Sequence, residues 1–159
     1  MSTALASNST LRALRLCRAW VTDAGAVCLA RGLRDNAGLH RLELAYDKIE
    51  VNGGAALAGA LANKAGAHVA ACPLRHLDLS HNRLGDLGMA TMAPDLAAAP
   101  QLQELLLQDC DIGAAGASAS KLLPERISGC EACLIGRRLL SRTECVRLRL
   151  DFVRRVTRA

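Results

Sequence analysis

The sequence predicts a short right-handed α/β solenoid, with parallel strands on a concave side and helices on a convex side. Three observations point there. Apolar residues recur at positions 1, 4, 6 and 11 of four successive units that start at Leu11, Leu39, Leu74 and Leu102. Inside each unit the apolar spacing changes from alternation to every third or fourth residue, which is the change from strand to helix. No unit can bury its own leucines, whereas stacked units cover one another.

Taken in order, residues 1–10 read as the end of a preceding repeat helix or as an N-terminal cap. Unit one places Leu11, Leu14, Leu16 and Val21 on the pattern, and unit two Leu39, Leu42, Leu44 and Ile49. Unit three, LRHLDLSHNRL, supplies Leu74, Leu77, Leu79 and Leu84. Unit four has Leu102, Leu105, Leu107 and Ile112. The starts lie 28, 35 and 28 residues apart, and the long spacing reads as a loop insertion near residues 64–70. The repeats therefore cover 11–124, and 125–159 form a basic tail. Of that tail, CVRLRLDFV, 145–153, keeps a trace of the register. It suits a degenerate capping strand, an amphipathic helix or a stretch without stable structure.

The second half of each unit agrees. Position 15 is Gly25, Gly53, Gly88 and Gly116, which is read as allowing helix and strand to approach closely. Position 19 is Leu29, Leu57, Met92 and Ser120, and position 23 is Leu33, Leu61, Leu96 and Pro124, where the fourth helix is expected to stop. Asp23, Asn52 and Asp86 stand where a side-chain oxygen caps free helix amides. Position 9, where the chain turns, holds Asn82 and Cys110, with Asp47 and Ala19 as variants. An Asn there bonds the backbone of the turn, and a Cys serves as a small buried group.

LxxLxLxxNxL, as in LRHLDLSHNRL, and the following GxxxL helix, as in GAVCLARGL, resemble the leucine-rich repeat family, in its ribonuclease-inhibitor-like class. The resemblance implies a recognition scaffold without catalysis. Such repeats commonly serve as binding surfaces, including as one part of nucleotide-binding immune receptors. Ran GTPase-activating proteins resemble the same class, which makes activation of a small GTPase the rival reading. This solenoid is much shorter than theirs, and no activating residue can be matched.

Composition narrows the function further. Hydrophobic residues are 51% and aromatics 2%, so leucine and alanine carry the core. No apolar run reaches the roughly 18 residues of a membrane-spanning helix. The first twenty residues resemble an organelle transit peptide, with arginines and no acid, but their leucines fall on the repeat register. Asn8-Ser9-Thr10 matches a glycosylation sequon without a secretory signal before it. Seven irregularly spaced cysteines argue against a disulfide framework and fit a reducing, cytoplasmic setting. Cys130 and Cys133 form a lone CxxC with too few companions for zinc. No GxxxxGK[ST] or GxGxxG occurs, and no cofactor is expected. His40, His76 and His81 are read as surface residues that can gather near Asp78. Residues 1–124 balance eleven bases against eleven acids, so the net charge of +5 resides in the tail. That tail offers a second rival: contact with nucleic acid or anionic membrane. Its one aromatic, Phe152, supplies little base stacking.

The candidate site is the strand face turned away from the core, at positions 3, 5 and 8. It comprises Arg15, Arg18, Arg41, Glu43, Tyr46, His76, Asp78, His81, Glu104, Leu106 and Asp109, beside Ala13. Along the stack it runs from basic to acidic. The same residues also suit an ordinary solvated face. Tyr46, Leu106 and, at position 10, Trp20 are the expected anchors for a protein partner.

Overall fold

Leu42, Leu77 and Leu105 are fully buried, and they line up because three-residue strands stack in register. The computed structural model describes residues 2–62, 72–124 and 127. Strands β1 (Ala13–Arg15), β2 (Arg41–Glu43), β3 (His76–Asp78) and β4 (Glu104–Leu106) form one parallel sheet in sequence order. Helices α1 (Ser2–Ser7), α2 (Asp23–Arg34), α3 (Val51–Leu61), α4 (Gly85–Ala97) and α5 (Ala114–Ser120) pack in sequence order, each against the next. This is the α/β solenoid that the repeat predicts. The insertion near residues 64–70 and most of the basic tail, with the CxxC and the CVRLRLDFV trace, lie outside the described residues.

Burial follows the repeat positions. Leu39, Leu74 and Leu102 at position 1, Leu44, Leu79 and Leu107 at position 6, and Ile49, Leu84 and Ile112 at position 11 join one core. Each fully buried leucine contributes about 1.5–3 kcal/mol relative to its exposed state. In unit one Leu14 and Leu16 are only half-buried. Helix α1 rests against α2, with Leu5 buried one period before Leu33.

Apolar packing has no direction, so polar links set how far one unit lies from the next. Asn82 makes the central link. Its Oδ1 accepts the Ile49 N–H at 3.0 Å, and its Nδ2 donates to the Leu44 and Leu79 carbonyls, both at 2.8 Å. Two of these three bonds reach back into unit two. Cys110 substitutes in part, its thiol donating to the Leu79 carbonyl at 3.1 Å. Asn36 and Asn8, 28 residues apart, do a similar task at the strand entrances. Asn36 Oδ1 accepts the amides of Gly38 and Leu39, and Asn8 Oδ1 those of Thr10 and Leu11. Asn36 Nδ2 also donates to the carbonyls of Leu5 and Asn8, which ties α1 and the segment after it to unit one.

Three expectations change. Asp23 and Asp86 do not cap their own helices. Asp23 Oδ1 accepts the amide of Glu50, at the head of α3, at 2.7 Å. Asp86 Oδ1 accepts those of Gly113 and Gly116, at the head of α5, at 2.6 and 2.8 Å. Each carboxylate therefore caps the helix of the following unit. The position-15 glycines are pressed by the position-11 side chain of their own unit (Val21, Ile49, Leu84 and Ile112), and Gly53 and Gly116 also by the preceding unit's helix. A Cβ on Gly53 would stand 2.5 Å from Asp23 Oδ1 and 3.0 Å from Ala26 Cβ, and one on Gly116 2.7 Å from Asp86 Oδ1. Lastly, α5 ends at Ser120, before Pro124. Ser120 stands where other units bury Leu or Met, and its hydroxyl bonds the Ala117 carbonyl, so the final turn lacks an apolar anchor.

Replacing Asn82 with Ala strands the buried Ile49 amide and Leu44 carbonyl. The variant is expected to lose on the order of 3 kcal/mol of unfolding free energy, measured by urea denaturation. Cys110→Ala, which removes a weaker thiol donor, is expected to lose clearly less in the same measurement.

Candidate functional site

The sheet register arranges the outward side chains in three rows. Position 3 gives Ala13, Arg41, His76 and Glu104, directly paired along the sheet. Position 5 gives Arg15, Glu43, Asp78 and Leu106. Position 8, just beyond the strands, gives Arg18, Tyr46, His81 and Asp109. The alternating pleat puts the intervening leucines on the opposite, helix-facing side.

Charge pairs bind neighbouring units across this face, except Arg41–Glu43, which lies within β2. Arg15 Nε lies 3.0 Å from Glu43 Oε2, and Arg41 Nη1 lies 3.2 Å from Glu43 Oε1. His76 Nδ1 is 2.7 Å from Glu104 Oε2. His76 is buried, with 8% exposure, which corrects its reading as a surface residue. The expected gathering of histidines at Asp78 is replaced by separate pairs. His81 Nδ1 approaches Asp109 Oδ2 at 3.4 Å, while Asp78 Oδ1 accepts the Ser80 amide at 2.9 Å. His40 turns to the Gly38 carbonyl at 2.6 Å. Leu106 is half-buried, a weaker anchor than its register implied.

The position-8 row forms a continuous stack. The Arg18 guanidinium lies 4.6 Å from the centre of the Tyr46 ring. Tyr46 and His81 are stacked, with centres 3.9 Å apart and planes inclined by 10°. His81 then meets Asp109. All four backbones are left-handed, with φ of 58°, 61°, 58° and 49°. An L-residue in that region gives up about 1–2 kcal/mol, so a recurring backbone demand holds it there. The amides of Arg18, Tyr46 and His81 donate to the carbonyls of Ala45, Ser80 and Gln108 in the next unit. The hydrogen-bond ladder thus continues past the strands into the turn, and the turn aims each side chain at its counterpart.

Position 10 extends this edge. Trp20 is 71% exposed, and Lys48 Nζ sits 3.8 Å from the centre of its ring. Arg18, Trp20, Tyr46, Asp47 and Lys48 line an open depression of about 370 Å³. Lys48 escaped the sequence reading, although it occupies the same repeat position as Trp20. Asp47 beneath them is buried. Its Oδ1 accepts the Val21 amide at 3.1 Å, while Oδ2 has no hydrogen-bond partner among the described residues. Burial pushes the Asp47 carboxyl above its ordinary range, against the lowering effect of the Val21, Ala19 and Trp20 amides.

Among the described residues no group of three or more His, Cys, Asp or Glu is arranged to hold a metal ion. Cys17, Cys28 and Cys72 are free thiols, and burial raises the Cys72 thiol above its usual range. No helix of the described residues is long and apolar enough to cross a membrane.

A stack of βα units with one surface of registered side chains defines a repeat scaffold. Residues 7–30, 70–93 and 99–119 match the family described as Leucine Rich repeat. The chain is also 34% identical over 118 residues to a ribonuclease inhibitor of Sus scrofa. That alignment covers 73% of this chain and 24% of the relative, so the chain spans about a quarter of that relative's length. The chain belongs to the leucine-rich repeat family, in its ribonuclease-inhibitor-like class.

The left-handed turn and its stack can be measured apart. Tyr46→Gly and Tyr46→Ala both delete the stacked ring, but only Ala keeps the backbone penalty. Tyr46→Gly is expected to be about 1 kcal/mol more stable than Tyr46→Ala in urea denaturation. Asp47 generates a pH dependence. Its raised folded pKa means that the folded chain holds the proton more tightly than the unfolded chain. Its contribution to stability is greatest below the ordinary carboxylate pKa and falls as pH rises through the folded value. Asp47→Asn supplies the missing donor without a charge. It is expected to raise Tm at pH 7.5 and to flatten the decline between pH 4 and pH 7.5.

Proposed function

We propose that this chain is a non-catalytic protein-binding module whose partner seats on the concave strand face. The observation that carries the reading is the registered row structure. Arg15, Arg41 and Glu43 on one side, and His76 and Glu104 on the other, are held by neighbours in fixed positions. Side chains restrained before binding lose less entropy when a partner arrives. The face passes from Arg15 and Arg18 to Glu104 and Asp109, so a partner of opposite polarity has one favoured orientation. Leucine-rich repeats generally mediate protein–protein interaction, and the porcine relative is named for inhibiting a ribonuclease. A protein partner is therefore the class of ligand this face favours, and a cytoplasmic setting fits the free thiols.

The test is affinity capture from cell extract with the intact chain and a variant carrying Arg15→Glu, Arg41→Glu, Asp78→Lys and Glu104→Lys. Circular dichroism establishes that the variant is folded. The expected outcome is a captured protein that the variant loses. Equal capture by both folded proteins would remove the strand face as the site.

A further inference from the structure

The turn edge beside the strand face carries its own binding chemistry. We infer that the edge formed by Arg18, Trp20, Tyr46 and Lys48 is a docking site for an acidic peptide segment, engaged through carboxylate contacts to Arg18 and Lys48 and apolar contact with Trp20. This goes beyond binding at the strand rows, because Trp20 and Lys48 lie at position 10, outside them.

Charge complementarity decides the occupant. Among the described residues, neither Arg18 nor Lys48 forms an ion pair, whereas Arg15 and Arg41 are both held by Glu43. Aromatic rings position the two free cations instead, at 4.6 Å over Tyr46 and 3.8 Å over Trp20. A ring orients a cation without cancelling its charge, so both remain available to an anion. The one carboxylate lining the depression, Asp47, is buried and drawn toward its neutral form by desolvation. Trp20 and Tyr46 are 71% and 49% exposed, and together with Arg they are the residue types that most often carry binding energy in protein interfaces.

The rings also favour a peptide over a nucleic acid. Tyr46 is stacked by both Arg18 and His81, and Lys48 lies over Trp20. Bases stacking on this edge would have to displace those groups, whereas carboxylates meet the cations where they stand. The depression is open, which admits an extended segment.

Trp20 is the chain's one tryptophan, so its fluorescence reports directly on this edge. The full chain is titrated with a blocked octaglutamate peptide, with blocked octalysine and with a thymidine octanucleotide. Octaglutamate is expected to shift Trp20 emission saturably and to weaken as salt rises from about 50 to about 300 mM. Arg18→Gln with Lys48→Met is expected to weaken that binding about tenfold or more, Met keeping an apolar stem over the ring. Arg34→Gln, exposed in the last turn of α2, leaves it unchanged. Circular dichroism accompanies each variant, and Lys48→Met alone serves if the pair is unfolded. The proposal is overturned if octalysine acts equally, if the oligonucleotide binds more tightly, or if the folded cation variants bind octaglutamate as before. It is also overturned if octaglutamate binds only the arginine-rich segment 125–159 and leaves Trp20 emission unmoved. A strand face that fails the capture test leaves this titration readable, since its substitutions at Arg15, Arg41, Asp78 and Glu104 alter none of the four edge residues.

Discussion

A buried hydrogen bond that crosses from one repeat to the next is the constraint on which the rest of this solenoid depends. Leucine against leucine is favourable at many offsets, because hydrophobic burial has no direction. Asn82 has few choices. It must find the Ile49 amide and the Leu44 carbonyl, and a slip of one residue would leave these groups buried and unpaired. Asp23 and Asp86 impose the same discipline on the helix side by capping the following unit's helix. Apolar burial therefore supplies the driving force, and inter-unit polar bonds choose the register.

Register then becomes a surface property. Once β2 and β3 pair at Arg41↔His76, the outward side chains are stacked whether or not they attract one another. The sequence places compatible groups there: Arg15 and Arg41 beside Glu43, Glu104 beside His76, Tyr46 between Arg18 and His81. Each surface pair contributes little, about 0–1 kcal/mol. Their effect lies in restraint more than in stability. The left-handed turn residues show which demand prevails, since Tyr46 and His81 accept an unfavourable φ to keep the ladder and the stack together.

The fold was legible because its signal is periodic. Four sets of apolar residues at fixed positions within the unit mark strands, helices and core. The outward positions followed from the same count, and the rows stand where the count put them. What escaped notice depends on which unit a side chain reaches. Asp86 looks like a cap for its own helix, yet its partners lie 27 and 30 residues ahead. His76 looks exposed in a single strand, yet it is buried in the stacked sheet and pairs with Glu104 one unit on. Lys48 looks like a solvated lysine until Trp20 is placed one unit back. Asn8 and Asn36 carry a visible 28-residue spacing that an apolar pattern could not reveal.

Asp47 shows what happens where the repeat is imperfect. It takes the place of Asn82 and keeps the accepting half of the Asn role, through Val21, but loses the donating half. Unit one is joined to unit two by this weaker polar link at the turn, by half-buried Leu14 and Leu16, and on the helix side by the Asp23–Glu50 bond. The same junction carries Trp20, Lys48, Arg18 and Tyr46 on its surface. Their cross-unit contacts, Lys48 over Trp20 and Arg18 over Tyr46, bridge the two units from outside. A surface cluster that spans this junction responds to the junction's geometry. A ligand seated across Trp20 and Tyr46 would thus be linked to how firmly unit one docks, because binding the assembled junction stabilises it by mass action.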